Sequence, residues 1–204
     1  MSGVAIYIEG GGDGRDTKAA LRQGMDAFLT PLKDHVRAKS WRWKVVCCGG
    51  RTAAFDGFRN AVQSGDDAIV ALLVDAENPV NDSSRAHLQS RDGWDLQFAS
   101  DDAVHLMVQT MEAWIVADPD ALTAYYGQHF RGNALPRTQN LETVARAAIA
   151  SALEQATRQT QKGAYHKIRH ASDLLKRIDR QKVEQRCPSC ARVFDALGQA
   201  IQGA

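Results

Sequence analysis

Acidic side chains stand just after several apolar segments of this 204-residue chain. Glu9 follows the first such segment. Asp75 and Glu77 end the third, and Glu112 lies shortly after the fourth. Clustered carboxylates can bind Mg²⁺ or Mn²⁺, and a nearby carboxylate can also move a proton during phosphodiester hydrolysis. Acids at such positions can instead cap a helix or stabilise its dipole, so both interpretations stay open for Glu112 and for the two acids of the third segment.

Strand and helix patterns alternate through the first half of the chain. Apolar and β-branched residues predict strands at about 4–8, 41–48, 68–77 and 101–108. Between them, helical spacing predicts one helix over 16–36, one starting at Thr52 as its N-cap and a short one over 83–90. This order predicts an α/β fold with an open, mainly parallel sheet of about four strands flanked by helices. Ligands bind at the carboxyl ends of such strands, where the acids are expected.

The remainder of the chain is predicted to be helical, including a helix over about 140–160. We therefore divide the chain into an α/β core at 1–125 and a basic helical extension at 126–204 that packs on the core. The net charge of +1 hides a segregation of charge. Residues 65–120 include twelve acids and two arginines, whereas residues 155–192 include ten lysines and arginines and three acids. An acidic centre suits a divalent cation and a basic segment suits a phosphate backbone, although both can also be ordinary solvated surfaces.

Glycines follow Glu9 and also precede Arg51. They permit close backbone approach, but their spacing matches neither G-x-G-x-x-G nor a Walker motif, so a nucleotide-binding fingerprint is not supported. Arg51 lies at the predicted start of a helix. There it can contact a phosphate of the substrate or form an internal salt bridge to a strand-end acid.

The segment 162–170 interleaves basic residues with an aromatic one. Lys162, His166, Lys167 and His170 are its candidates for substrate binding. If the segment is helical, the two histidines share a face, and two histidines four apart can bind zinc. They lack the glutamate of an HExxH motif, so phosphate contact and a solvated basic helix are the alternatives.

Cysteine usage and hydropathy indicate the compartment. The four cysteines form one adjacent pair and a single CxxC, Cys187 and Cys190, for which structural thiols are favoured over a redox or metal role. No apolar run approaches the length of a membrane span, and the start of the chain lacks a signal segment. We expect a cytoplasmic protein without a membrane partner.

Five blocks of sequence, taken together, resemble the DUF4276 family. They are I-E-G-G-G-D at 8–13, C-G-G-R-T-A-A-F at 48–55, L-V-D-A-E at 73–77, M-E-A-W at 111–114 and K-G-x-Y-H-K at 162–167. A strand followed by Glu9 and glycine, and a strand followed by Asp75-x-Glu77, also resemble the Toprim arrangement of topoisomerases, primases and OLD-type nucleases. The family resemblance covers nearly the whole chain, and it implies that the α/β core at 1–125 is Toprim-like.

The Toprim resemblance also implies roles for the acids. In Toprim enzymes the glutamate after the first strand is a general acid/base or metal ligand, and a later Asp-x-Asp binds Mg²⁺. Glu9 matches the former, while Asp75 and Glu77 match the latter with glutamate in place of the second aspartate. This replacement leaves one-metal and two-metal geometries open.

A Mg²⁺- or Mn²⁺-dependent nuclease acting on DNA or RNA is the function that the resemblance implies. It further implies a phage-defence module with an AAA- or ABC-type ATPase encoded nearby. The alternative is a catalytically silent Toprim-like subunit that binds nucleic acid or protein within an ATPase complex. The sequence leaves open whether the chain forms a homodimer.

Overall fold

The computed structural model describes residues 2–204. Its strands are β1 (Gly3–Ile8), β2 (Arg42–Cys47), β3 (Ile69–Asp75) and β4 (Val104–Met107). All three strand pairings are parallel, and the order across the sheet is β2-β1-β3-β4. The predicted α/β fold with an open sheet of four strands flanked by helices is confirmed, and the sheet is entirely parallel.

Ten α-helices cover the sheet and form the C-terminal part of the described chain. They are α1 (Arg15–Phe28), α2 (Thr30–Ala38), α3 (Arg51–Ser64), α4 (Ser84–Asp92), α5 (Glu112–Val116), α6 (Pro119–Tyr126), α7 (Arg146–Thr157), α8 (Lys167–Leu175), α9 (Arg180–Arg186) and α10 (Pro188–Gly203). Short 3-10 helices lie at 101–103, 132–134 and 141–143. None of the helices within 2–204 is both long enough and apolar enough to cross a membrane.

Three helix boundaries differ from the prediction. The predicted helix over 16–36 is two helices that meet at Leu29, because proline favours the first turn of a helix and α2 has one there. Thr52 is not an N-cap, since the extended backbone of Gly50 precedes α3. The predicted helix over 140–160 is reduced to α7, because the 3-10 turn capped by the Asn140 side chain interrupts the chain before it.

The sheet is buried on both faces, as expected for parallel strands. Along β3, Ala71 and Leu73 point into an apolar cluster with α1, α2 and the C-terminal helices, whereas Leu72 and Val74 point into a second cluster with α3 and α4. The first cluster includes residues on both sides of position 125, for example Phe28 with its ring 5.7 Å from that of Phe194. The division into a core and an extension stays a prediction.

Close packing of α8 on α1 positions the basic segment. At Gly24 of α1, an added Cβ would lie 2.7 Å from the carbonyl oxygen of Ser172, so only glycine permits this approach. The Ser172 hydroxyl donates a hydrogen bond to the Ala20 carbonyl across the same contact. These contacts fix α8 with its N-terminus beside the ends of the strands.

The CxxC cysteines are packing residues in this structure. Cys187 and Cys190 are buried free thiols, and burial raises the pKa of both well above the ordinary range. The Cys187 thiol lies 3.6 Å from the Ala113 carbonyl. A buried, protonated thiol is unreactive, which agrees with the favoured structural role.

Candidate functional site

The β2 and β3 strands lie on opposite sides of β1 in the sheet. After β1 the chain moves to one side to form β2, and then returns to the other side of β1 to form β3. Such a topological switch point is where open α/β sheets bind ligands. Glu9 follows β1 and Asp75 ends β3, and the Asp75 amide donates to the Glu9 carboxylate at 3.3 Å. The two acids therefore meet at the expected crevice.

Arg51, the first residue of α3, binds this pair from one side. Its Nη1 lies 3.0 Å from Glu9 Oε2 and also donates to the Asp75 carbonyl oxygen. The other edge of the guanidinium forms two hydrogen bonds to Asp92, at 2.8 and 2.7 Å, and its plane lies 5.1 Å from the Trp94 ring centre. Of the two interpretations of Arg51, the structure shows the internal salt bridge.

Asp75 is almost completely buried, with 4% of its surface exposed. One carboxylate oxygen accepts a hydrogen bond from the Met111 amide at 2.7 Å. The other lies 3.1 Å from the ammonium of Lys167 at the start of α8. Residues distant in sequence thus occupy both oxygens of the strand-end acid.

Glu112 joins the same group through Lys167. Its carboxylate lies 3.6 Å from the Lys167 ammonium, accepts a hydrogen bond from the Tyr165 hydroxyl at 3.0 Å and another from the Thr110 hydroxyl. Glu112 is therefore a partner of Asp75 across the strand ends as well as the first residue of α5. We refer to Glu9, Asp75 and Glu112 as the acid cluster.

Burial and the closeness of these charged groups shift the pKa values of Glu9, Asp75 and Lys167. Burial raises the pKa of Glu9, the neighbouring Asp75 charge raises it further, and Arg51 only partly offsets both. Burial also raises the pKa of Asp75 against the opposing effect of Lys167. For Lys167, burial lowers the pKa, but the facing carboxylates of Asp75 and Glu112 outweigh this and raise it overall. The ammonium is thus held in its charged form.

Glu77 is not brought into the acid cluster. Its backbone has a φ of +62°, in the left-handed region, two residues after the end of β3. Its carboxylate forms ion pairs with Arg91 and, at 2.9 Å, with Arg146 of α7. Arg91 also forms an ion pair with Asp92, which connects Glu77 to Arg51.

Lys162 and His170 lie apart from the acid cluster, whereas His166 borders the same pocket as Glu9. Lys162 is exposed, with its ammonium 4.7 Å from the Tyr125 ring centre. His166 precedes α8 and is exposed, whereas His170 is buried and its Nδ1 accepts from the His166 amide at 3.1 Å. A shared helical face was expected only if the segment is helical, and this condition is not met at His166, because the helix starts at Lys167.

Two pockets open on either side of Lys167. One, of about 370 Å³, is bordered by Glu9, the glycines at 10–12, His166 and Lys167. The other, of about 320 Å³, is bordered by Glu112, Arg146, Tyr165 and Lys167. The side chain of Lys167 is 42% exposed and borders both pockets, whereas Glu9 borders only the first and Glu112 only the second.

A comparison with protein families gives one match. The model described as "Domain of unknown function (DUF4276)" matches residues 8–198. The chain belongs to the DUF4276 family. Neither the comparison with curated proteins nor that with solved structures found a match.

The acid cluster of this DUF4276 protein has ligands that suit a hard divalent cation. Across residues 2–204, no group of three or more His, Cys, Asp and Glu side chains is arranged to hold a metal as the side chains stand. Glu9, Asp75 and Glu112 nevertheless offer carboxylate oxygens, the ligands that Mg²⁺ prefers. The ammonium between Asp75 and Glu112 shows that this place stabilises positive charge. The chemistry of the donors therefore fits Mg²⁺ or Mn²⁺.

Three partners of the site in this DUF4276 chain were not singled out from the sequence. Asp92 fixes Arg51, while Thr110 and Tyr165 fix Glu112. Tyr165 lies within the K-G-x-Y-H-K block, so the family resemblance could have identified it as a site residue. Asp92 is one acid among twelve in its region, and nothing local distinguishes it.

Proposed function

We propose that this protein is a Mg²⁺- or Mn²⁺-dependent hydrolase of phosphodiester bonds in DNA or RNA. The observation that supports it is the meeting of Glu9, Asp75 and Glu112 at the switch point of the sheet, with a cationic group already between two of them. Buried carboxylates that share a cation in an accessible crevice suit metal-assisted hydrolysis.

Each residue of the acid cluster has a role in this proposal. Glu9, Asp75 and Glu112 would hold the metal, which when bound polarises the phosphodiester and favours ionisation of water. Glu9 moves a proton at its carboxylate, since its pKa is raised towards neutral pH. Arg51 orients Glu9, and Tyr165 orients Glu112. Glu77 is not given a role here because its carboxylate faces Arg91 and Arg146 and does not contact Lys167.

The basic residues supply contacts for the substrate. Lys167 and His166 border the larger pocket, so a phosphate backbone that reaches Glu9 passes them. Arg146 borders the smaller pocket on the other side of Lys167. Lysine and arginine side chains at such positions attract polyanions without regard to sequence.

The proposal includes a cellular setting. A Toprim relationship would make the protein the nuclease of a phage-defence module, with an AAA- or ABC-type ATPase encoded nearby as its partner and the cytoplasm as its compartment. These points derive from the resemblance of the strand-Glu9-Gly and Asp75-x-Glu77 segments.

A cleavage assay with Glu9→Gln tests the function. Single- and double-stranded DNA, tRNA and mRNA are incubated with Mg²⁺ or Mn²⁺, with and without the product of the neighbouring gene. We expect cleavage by the wild type and a loss of about 100-fold or more in Glu9→Gln, because one ligand and proton carrier is neutralised. Asp13→Asn, at an exposed acid of the same glycine-rich loop, is the matched control. Absence of cleavage of every substrate by the wild type, even with its neighbour, would contradict the proposal.

A catalytically silent binding subunit is the second candidate. The observation in its favour is that Glu9 and Asp75 are each already paired with an internal cation, Arg51 and Lys167 respectively. Such a protein would bind nucleic acid or an ATPase partner but leave every phosphodiester intact, with or without metal. The same assay, accompanied by a binding measurement, separates the two candidates.

A further inference from the structure

Lys167 lies where a metal ion would be expected to bind. Its ammonium is 3.1 Å from Asp75 Oδ2 and 3.6 Å from Glu112 Oε2. These two ion pairs connect the end of β3 to the start of α5. We propose that Lys167 and a divalent cation occupy the acid cluster in turn, and that Lys167, once displaced, contacts the phosphate backbone. This inference rests on the proposed function and describes the regulation of the same site.

Mutual exclusion follows from the chemistry of the cluster. Asp75 is 4% exposed and one of its oxygens is already used by the Met111 amide, which leaves Oδ2 as its free ligand. Lys167 takes that oxygen, and the oxygen of Glu112 that Lys167 faces also accepts from Thr110. Two cations compete for these oxygens, because their mutual repulsion is large where water is largely excluded.

Lys167 can leave without movement of the backbone. It is the first residue of α8, its side chain is 42% exposed, and it borders both pockets beside the acid cluster. A lysine has a flexible four-carbon stem, so rotation about its side-chain bonds brings the ammonium into either pocket. The α8 backbone meanwhile stays fixed by its close contact with α1 at Gly24.

Arg51 is the contrasting cation of the site. Its side chain is 14% exposed, both edges of the guanidinium are hydrogen-bonded, and its plane packs on Trp94. Displacement of Arg51 would break contacts with Glu9, Asp75 and Asp92 at once. Lys167 is therefore the exchangeable cation, and Arg51 is the permanent one.

Exchange at the acid cluster couples metal binding to binding of the polyanion. In the absence of metal, Asp75 and Glu112 withhold the Lys167 ammonium from the substrate. In its presence, the ammonium is free in a pocket where a phosphate can bind it. By linkage, metal and nucleic acid must then strengthen each other's binding by the same factor.

The test measures metal binding independently of cleavage. Titration calorimetry with MgCl₂ and electron paramagnetic resonance with MnCl₂ are applied to the wild type, Lys167→Gln and Lys167→Arg. We expect Lys167→Gln to bind Mn²⁺ about tenfold more tightly than the wild type, because the competing charge is removed. Lys167→Arg retains the charge and should not gain affinity. Arg169→Gln, an exposed residue of the same helix, loses the same charge outside the cluster and should stay within about twofold of the wild type.

A second measurement tests the coupling. A fluorescent oligonucleotide is titrated with each variant in EDTA and in CaCl₂, and thermal unfolding verifies that each variant is folded. The wild type should bind the oligonucleotide several-fold more tightly in CaCl₂ than in EDTA. Lys167→Gln should bind it equally in both. Unchanged or weaker Mn²⁺ binding by folded Lys167→Gln would overturn the inference.

Failure of the inference and failure of the proposed function give different results. If Lys167→Gln gains metal affinity but no variant cleaves, the exchange is supported and the nuclease is not. If the wild type cleaves and Lys167→Gln shows no gain, the nuclease is supported and the exchange is overturned. Absence of metal binding in every folded variant would contradict both.

Discussion

Asp75 and Glu77 are two residues apart, yet different cations bind their carboxylates. Asp75 is 4% exposed within the acid cluster, where Lys167 and the Met111 amide bind it. Glu77 follows the end of β3 with a left-handed backbone, and Arg91 and Arg146 bind it outside the cluster. A strand directs alternate side chains to the same face only while it remains extended. The comparison shows that the position of an acid in a motif does not decide whether it enters the site.

The largest expected difference is between substitutions of these two acids. Asp75→Asn should lower the cleavage rate by about 100-fold or more, because it removes the charge of a carboxylate that is proposed to hold the metal once Lys167 is displaced. Glu77→Gln should change the rate by less than about threefold, since only partly exposed ion pairs are lost. Single-turnover rates at saturating Mg²⁺ measure both. Equal losses in the two variants would show that Glu77 turns inward during the reaction and would remove the distinction.

The second expected effect concerns the permanent cation of the acid cluster. Arg51→Ala leaves Glu9 without its ion-pair partner and Asp92 with Arg91 as its cation, in a largely buried place. It should lower the free energy of unfolding by about 3 kcal/mol. Arg59→Ala removes an ion pair to Asp56 whose side chains are 41% and 46% exposed, and should cost less than about 1 kcal/mol. Urea unfolding measures both. A similar small cost for the two variants would mean that Arg51 is not required to hold the strand ends together.

The smallest expected effect is a shift in the pH dependence of cleavage. Because burial raises the pKa of Glu9 and Asp75, their carboxylates become protonated at a higher pH than exposed ones as the pH falls. Activity that needs the ionised forms should therefore decline on the acid side earlier than ordinary carboxyl groups would predict. Arg51 favours ionised Glu9, so Arg51→Gln should move the decline to higher pH, while Glu77→Gln should leave it in place. If Arg51→Gln leaves the decline in cleavage rate at low pH unchanged, Glu9 does not control that decline.

Much of the fold follows from local patterns. Apolar, β-branched segments predicted all four strands, and their alternation with helices predicted the parallel sheet. The boundaries that failed depend on short-range details such as the proline in the first turn of α2 and the extended Gly50 before α3. Hydrophobic periodicity and composition average over these details, so they predict that a helix or strand exists better than they predict where it begins and ends.

The site was predictable in part. Glu9, Asp75 and Glu112 stand at strand ends or just beyond them, and the position of a strand end is visible in a sequence. The partners of Arg51 and Lys167 were not predictable, because both residues suit a phosphate as well as an internal acid. Asp92 had no distinguishing signal, since its importance derives from its place at the end of α4 facing Arg51.

The sequence by itself determined the α/β class of this protein, its four strands, the DUF4276 family and the acids at the strand ends. These depend on residue type and spacing along the chain. Only the tertiary structure decided that β1 lies between β2 and β3, that Lys167 reaches Asp75 from 92 residues away and that Glu77 pairs with Arg91 and Arg146. The reason is physical: strand order and helix packing bring distant residues together, and the backbone conformation after a strand directs each carboxylate towards the cation that it binds.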